Sequence, residues 1–184
     1  MSAQYDQLIY DTAIKQGFSP TSAKFVVAQA RFESADYTSN VFKANNNTSG
    51  MKYIGQPLAT RGTLAPKNER SATCQAGGAC RDSDHYAKFR SIQDSANDKI
   101  VRLYSITKGG VTPSQLKSAK TPEEFANLLK RRGYYGDSES VYANGLKAKL
   151  LRIQVVEFVT KNRNVLLLGA GLIILAYYVY KNKI

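Results

Sequence analysis

Residues 165–180 of this 184-residue chain carry no charge, and this run limits what the remainder can fold into. As a helix, residues 164–180 span about 25 Å at about 1.5 Å per residue. That is the short end of what crosses a hydrocarbon core of about 30 Å. Tyr177, Tyr178 and Tyr180 then fall at an interface, with Lys181 and Lys183 just beyond it. A buried C-terminal core helix is the competing reading. Lys161 and Arg163 precede the run, so basic residues flank both ends and orientation stays open. Gly169-Ala170-Gly171 permits close helix contact. With this segment set apart, about 150–160 residues remain, enough for one domain with its own core.

Charge bounds the partners. The net charge is +12, and Lys181 and Lys183 supply only two of those positive charges. The rest of the chain therefore favours anionic partners: nucleic acid, lipid head groups or acidic wall polymers. The basic residues are scattered and no nucleic-acid motif stands out, so no specific nucleic acid is expected. Cys74 and Cys80 bracket Gly77-Gly78, which lets the chain turn back. A disulfide there suits an oxidising compartment; two free thiols are the alternative. A zinc centre is not expected, because His85 is the sole histidine and four good ligands are not in view. No cofactor is expected either. The N-terminus, Met1-Ser2-Ala3-Gln4-Tyr5-Asp6, lacks the basic and apolar regions of a signal peptide.

Periodicity gives the elements. Tyr5, Leu8, Ile9 and Ala13 predict a helix over about 3–16, ended by Gly17. Ser19-Pro20 reads as an N-cap and first helical position. The helix it opens runs to about Ser34, with Glu33 near its end. Residues 36–90 are rich in Asn, Ser, Thr, Gly and Arg. They predict a long functional loop region holding a small β-hairpin around Tyr53 to Thr63 and Tyr86 to Arg90. Ser91 and Thr121-Pro122 open further helices. Ser138 caps a last one that carries Val141, Tyr142, Leu146, Leu150 and Ile153 on one face. The expected organisation is a catalytic domain at 1–150, an amphipathic connecting helix at 151–163, a transmembrane helix at 164–180 and a basic tail at 181–184.

A glutamate beside apolar helix positions and near a polar loop suits a general acid, since desolvation favours the protonated carboxyl. A surface glutamate at a helix end is the plainer reading of Glu33 taken alone. Its context changes that. Ala28-Gln29-Ala30-Arg31-Phe32-Glu33-Ser34, then Asn46-Asn47-Thr48-Ser49-Gly50-Met51-Lys52, resembles the glucosaminidase family of flagellar muramidase domains and bacterial autolysins. Phe89-Arg90-Ser91-Ile92-Gln93-Asp94-Ser95 and Gly133-Tyr134-Tyr135-Gly136-Asp137 with Tyr142 continue the likeness, which covers about residues 5–150. The resemblance implies a mainly α, lysozyme-like fold with a small β-hairpin lobe, and hydrolysis of the β-1,4 bond after N-acetylglucosamine in peptidoglycan. By resemblance Glu33 is the general acid, Tyr134 the motif tyrosine near the cleft, and Asn46, Asn47 and Gly50 shape the cleft floor, with a role more structural than catalytic.

The departures are specific. Ala35-Asp36-Tyr37 stands where the family has Gly-Trp-Gly, and Ser49 stands where it has Phe. With no tryptophan in the chain, sugar stacking falls to Tyr37, Tyr53, Tyr134 or Tyr135. The second carboxylate has no fixed place. Glu69 is preferred over Asp82, Asp84 and Asp36, and assistance by the substrate's acetamido group would remove the need for one.

Topology adds an expectation. A C-terminal anchor without an export signal leaves the N-terminal domain on the side opposite peptidoglycan. A bacteriophage with an internal membrane resolves the conflict, so a membrane-anchored virion enzyme that meets peptidoglycan, lipid and other virion proteins is expected. The alternatives are a non-catalytic glycan-binding or structural virion protein, and a lysozyme or lytic transglycosylase cutting the other bond.

Overall fold

Ser19 opens the element on which the rest of the molecule packs. Its hydroxyl accepts the Ser22 N–H, and Pro20 supplies the first helical position. The computed structural model describes residues 2–161. The chain order is α1 (Ser2–Lys15), α2 (Pro20–Glu33), α3 (Asn40–Asn45), β1 (Ala59–Leu64), α4 (Ala72–Gln75), β2 (His85–Phe89), α5 (Ile92–Lys99), α6 (Pro113–Lys117), α7 (Pro122–Arg131) and α8 (Glu139–Lys161); all but the part of α8 after Leu150 belong to the unit Met1–Leu150. Short 3-10 turns occupy Lys67–Glu69 and Asp82–Asp84, and a π turn occupies Ile100–Tyr104. The second unit, Leu151–Ile184, is described only through the end of α8. The expected transmembrane helix at 164–180 and the basic tail at 181–184 lie outside the described residues. Among the described residues no helix is long and apolar enough to cross a membrane.

Helix α2 is sheathed on nearly every side. Ala23, Phe25, Val26, Val27, Ala28 and Ala30 are all buried, and so are Gln29 and Arg31. Its alanines let neighbouring helices approach closely. Phe25 packs on Phe125 of α7, and Tyr104 of the π turn bridges Phe18 and Phe125. Gly145 brings α8 onto the end of α2, since a Cβ there would stand 2.5 Å from the Phe32 ring.

The expected helices 3–16, 19–34 and 122–132 form at those places. The helix expected from Ser91 through Tyr104 changes character at Ile100, where the wider π turn replaces α geometry. The small helices α3, α4 and α6 had no periodic signal because each is six residues or shorter. The hairpin lobe is present. β1 and β2 pair antiparallel, with Ala59 opposite Phe89 and Arg61 opposite Ala87, and the register slips before Leu64 pairs with His85. Among the described residues, this mainly helical body with one two-stranded sheet matches the expected mainly α fold with a small hairpin lobe.

Candidate active site

Glu33 is the last residue of α2 and is half-buried. The Tyr142 hydroxyl of α8 donates to its Oε1 at 2.8 Å. That donation is itself directed. The Gln29 Nε2 donates to the Tyr142 oxygen at 2.9 Å, and the buried Tyr104 hydroxyl donates to Gln29 Oε1. Each donor leaves the next group one free direction, so Tyr142 turns its hydrogen to Glu33. Burial first, and the Glu33 charge second, push the Tyr142 hydroxyl well above the usual tyrosine range. It therefore remains a donor at every working pH. Tyr142 thus engages Oε1 of Glu33, not Oε2.

Lys99 adds a charge beneath this chain of bonds. It is 1% exposed, and its Nζ has no hydrogen-bond partner among the described residues. Burial lowers its pKa to about 8, and the Glu33 charge opposes that fall. A polar residue on a buried helix face signals such roles. Gln29 lies among the apolar residues of α2, and Lys99 follows Ala96 by three on α5.

Three of the expected site residues converge here. The Tyr135 ring stacks on Tyr142 at 3.9 Å and 6°, and Tyr134 meets Tyr142 edge-on at 6.5 Å. The Tyr134 hydroxyl is raised well above its ordinary range by burial and then by Glu33. Tyr135 donates to the Ala126 carbonyl, and its hydroxyl is pushed up to about 12, chiefly by burial.

Glu69 and Tyr53 stand instead with the hairpin lobe. Glu69 ends an exposed 3-10 turn and accepts from Lys52 Nζ at 2.7 Å and from the Tyr86 hydroxyl at 3.2 Å. The Lys52 contact holds its carboxyl below the usual range, so it stays ionised near neutrality. Tyr53 is half-buried and its backbone N–H donates to His85. Asp84 is buried and accepts from Ser71 and Arg81, while Asp82 pairs with Arg61. Cys74 and Cys80 form a disulfide. Their sulfurs lie near the Asp84 carboxylate but offer no thiolate to a metal.

The remaining expected residues hold the scaffold. Asn47 is buried and donates to the Met51 and Ala87 carbonyls, while its Oδ1 accepts from Ser49 and Met51. Asn46 takes a left-handed conformation at the end of α3 and donates to Phe89 and Arg90. Tyr37 is 6% exposed; its hydroxyl donates to Asp6 at 2.8 Å, and its ring meets Tyr5 and Phe42. Tyr37 and Asn46 share the lining of a cavity of about 580 Å³ with Tyr5 and Phe42.

The segment after Glu33 is unusual. Ala35, Asp36 and Tyr37 have φ of 51°, 55° and 66°, a left-handed turn built without glycine. Each such residue costs about 1–2 kcal/mol, so neighbours must hold it. Arg31 grips Asp6 through Nε and Nη2 at 2.9 and 2.5 Å, and reaches Asp36 at 3.3 Å. Lys149 closes on Asp36 at 2.7 Å. Ser34 Oγ accepts from the Tyr37 N–H. This clamp fixes the residues next to Glu33.

A chain of a type VI secretion system effector–immunity complex from Pseudomonas protegens aligns with a TM-score of 0.57 at 20% identity, over 83% of this chain and 91% of that one. The catalytic domain of the autolysin Auto from Listeria monocytogenes aligns with a TM-score of 0.55 at 22% identity, over 85% and 84%. At such identities the likeness is one of fold. No curated protein matches the chain. The family described as mannosyl-glycoprotein endo-β-N-acetylglucosaminidase, the glucosaminidase family, matches residues 10–154. The chain belongs to the glucosaminidase family.

Proposed function

We propose that this protein is a peptidoglycan hydrolase that cuts the β-1,4 bond after N-acetylglucosamine, with Glu33 as its general acid. The observation that carries the reading is the ordered chain Tyr104–Gln29–Tyr142–Glu33. It holds one carboxylate oxygen as an acceptor and leaves Oε2 to carry the proton to the glycosidic oxygen. Family membership supplies the reaction class. In the proposed step the Oε2–H proton passes to the glycosidic oxygen as the bond from that oxygen to the anomeric carbon breaks and the carbon takes on oxocarbenium character; water then adds its hydroxyl to the anomeric carbon, and its proton restores the acid. Glu69, kept ionised by Lys52, is the proposed second carboxylate. The substrate's acetamido group is the other route to the same intermediate charge.

The test is digestion of purified peptidoglycan by the full chain and by Glu33→Gln, with products read by mass spectrometry. N-acetylglucosamine reducing ends, lost in the variant, are expected. Muramic reducing ends would assign a lysozyme, anhydro-muramic ends a transglycosylase. Retained binding with no release would leave a glycan-binding protein.

Residues 164–180 carry a separate proposal: they anchor the enzyme in a membrane, in the setting of a virion that must pass a wall. Its support is the uncharged run and the tyrosine and lysine residues that follow it. Flotation of the full chain with liposomes, compared with a chain ending at residue 163, tests the anchor. Recovery of both in the unbound fraction would refute it.

A further inference from the structure

The π turn Ile100–Tyr104 ends α5 one residue after Lys99, and such turns often lie at functional sites. The chain then doubles back through Gly109-Gly110, both at positive φ. Gly109 lies so near the Arg131 carbonyl that a Cβ would stand 2.0 Å from it. Arg132, 5% exposed, spreads beneath this loop. Its Nη1 donates to the Ile106 and Val111 carbonyls at 2.7 and 3.2 Å, and Nη2 donates to Leu103. The loop is thereby pinned to the end of α7, and a cavity of about 190 Å³ is left between them.

Arg102, Lys108 and Arg132 line this cavity, together with Ile106 and Tyr134, and no acidic residue does. Arg132 spends its donors on carbonyls, which leave its charge in place, and no carboxylate pairs with it among the described residues. Lys108 is exposed. Arg102 leans on Asp98 at 3.7 Å. The wall shared with the site is Tyr134, whose ring meets the Tyr142 that holds Glu33. The cavity is smaller than the roughly 300–1,000 Å³ that takes a drug-sized molecule, so it fits one branch of a larger substrate.

The glycan backbone of peptidoglycan has no free charge to offer such a pocket. Its peptide arms do, since they hang from alternate sugars and carry free carboxylates. We propose that this pocket binds a carboxylate of the peptide arm, so that the enzyme prefers strands whose arms carry free carboxylates over strands whose arms are amidated. The inference rests on the reading of the chain as a peptidoglycan hydrolase. Lys108 is the adjustable cation, because Arg102 and Arg132 are also tied into the fold.

Two measurements on the full chain test it. In the first, kcat/KM is compared on peptide-bearing strands and on the same strands with their peptide carboxylates converted to amides, because stripping the peptide would free a lactyl carboxylate on every muramic residue. A preference of about fivefold or more for the free-carboxylate strands is expected, reduced towards unity in Lys108→Glu. No preference, or one that Lys108→Glu leaves in place, overturns the proposal. The second needs no cleavage. N-acetylmuramyl dipeptide with a free carboxylate, and its amide, are titrated against the wild type and Lys108→Glu by NMR. Weaker binding of the amide, and loss of that difference in the variant, is expected; equal binding of the two ligands overturns the subsite. An inactive protein that still separates the two ligands would refute the hydrolase and keep the subsite.

Discussion

Gln29 sets the polarity of the candidate site. Its amide has one oxygen and one NH2 group, and it spends the oxygen on Tyr104 and the nitrogen on Tyr142. Tyr142→Phe removes the donor to Glu33 and strands the Gln29 NH2. A lost hydrogen bond to a charged group is worth about 1.5–3 kcal/mol, so kcat should fall about tenfold or more with little change in KM, as measured on soluble muropeptides. A change confined to KM would assign Tyr142 to substrate binding instead. Lys99 gives a pH signature. Its pKa falls from 10.5 to about 8 on folding, mainly through burial. Between these values the unfolded chain binds more protons, so stability rises as pH climbs from about 8 to 10.5. The shift corresponds to roughly 3 kcal/mol. Lys99→Met should therefore be more stable than the wild type at pH 7, and urea titrations should show its own rise across that window removed. An unchanged slope would show that Lys99 is solvated in solution.

At the scale of elements, the left-handed turn at Ala35-Asp36-Tyr37 is where this chain bears strain that the family's glycines would relieve. Ala35 is exposed and its side chain packs against little, so Ala35→Gly trades a strained φ for a modest entropy cost. A net gain of roughly 0.5–1 kcal/mol is expected, raising Tm by about 2–4 °C per kcal/mol for a domain of this size. Calorimetry showing a lower Tm would mean that the clamp of Arg31, Asp6 and Tyr37 makes φ there nearly free of cost. The clamp also explains why Tyr37 is buried: its hydroxyl closes the carboxylate of Asp6, which Arg31 alone would leave partly unsatisfied. The loop at Asn46-Asn47 works by the same logic, with side-chain amides pairing backbone groups that no helix or strand serves.

For the whole molecule, the hairpin side is secured covalently. The Cys74–Cys80 bridge closes a loop with a sequence separation of 6. For so short a loop the chain-entropy relation gives about 2 kcal/mol. Replacement of both cysteines by serine should lower Tm by several degrees while leaving muropeptide release by the folded enzyme near wild type. A loss of release without a loss of Tm would place the bridge in the cleft. A disulfide also fits an oxidising compartment.

Much of this molecule was legible as sequence, because local rules are strong where periodicity is long. Ser19-Pro20 and Thr121-Pro122 announce helix starts through a capping hydroxyl and a proline that lacks only an unneeded N–H. A stretch rich in Asn, Ser, Thr, Gly and Arg marked the hairpin lobe, and the motifs around Glu33 singled it out at the end of an apolar helix. Contacts between distant residues were not legible. Nothing local to Gln29 or Tyr142 says that they meet across 113 positions, or that Tyr37 turns inward to Asp6 rather than outward. The Gln29–Tyr142 pairing follows from how α8 settles on α2 at Gly145, and the Tyr37–Asp6 pairing from the approach of α1 to the turn after α2. The sequence by itself determined where the long helices begin and which face of each is apolar, and it singled out Glu33 as the candidate acid. Only the tertiary structure decided which oxygen of that carboxylate is held, which tyrosine holds it and where the cations gather, because burial and hydrogen-bond direction exist only once the chain has closed on itself.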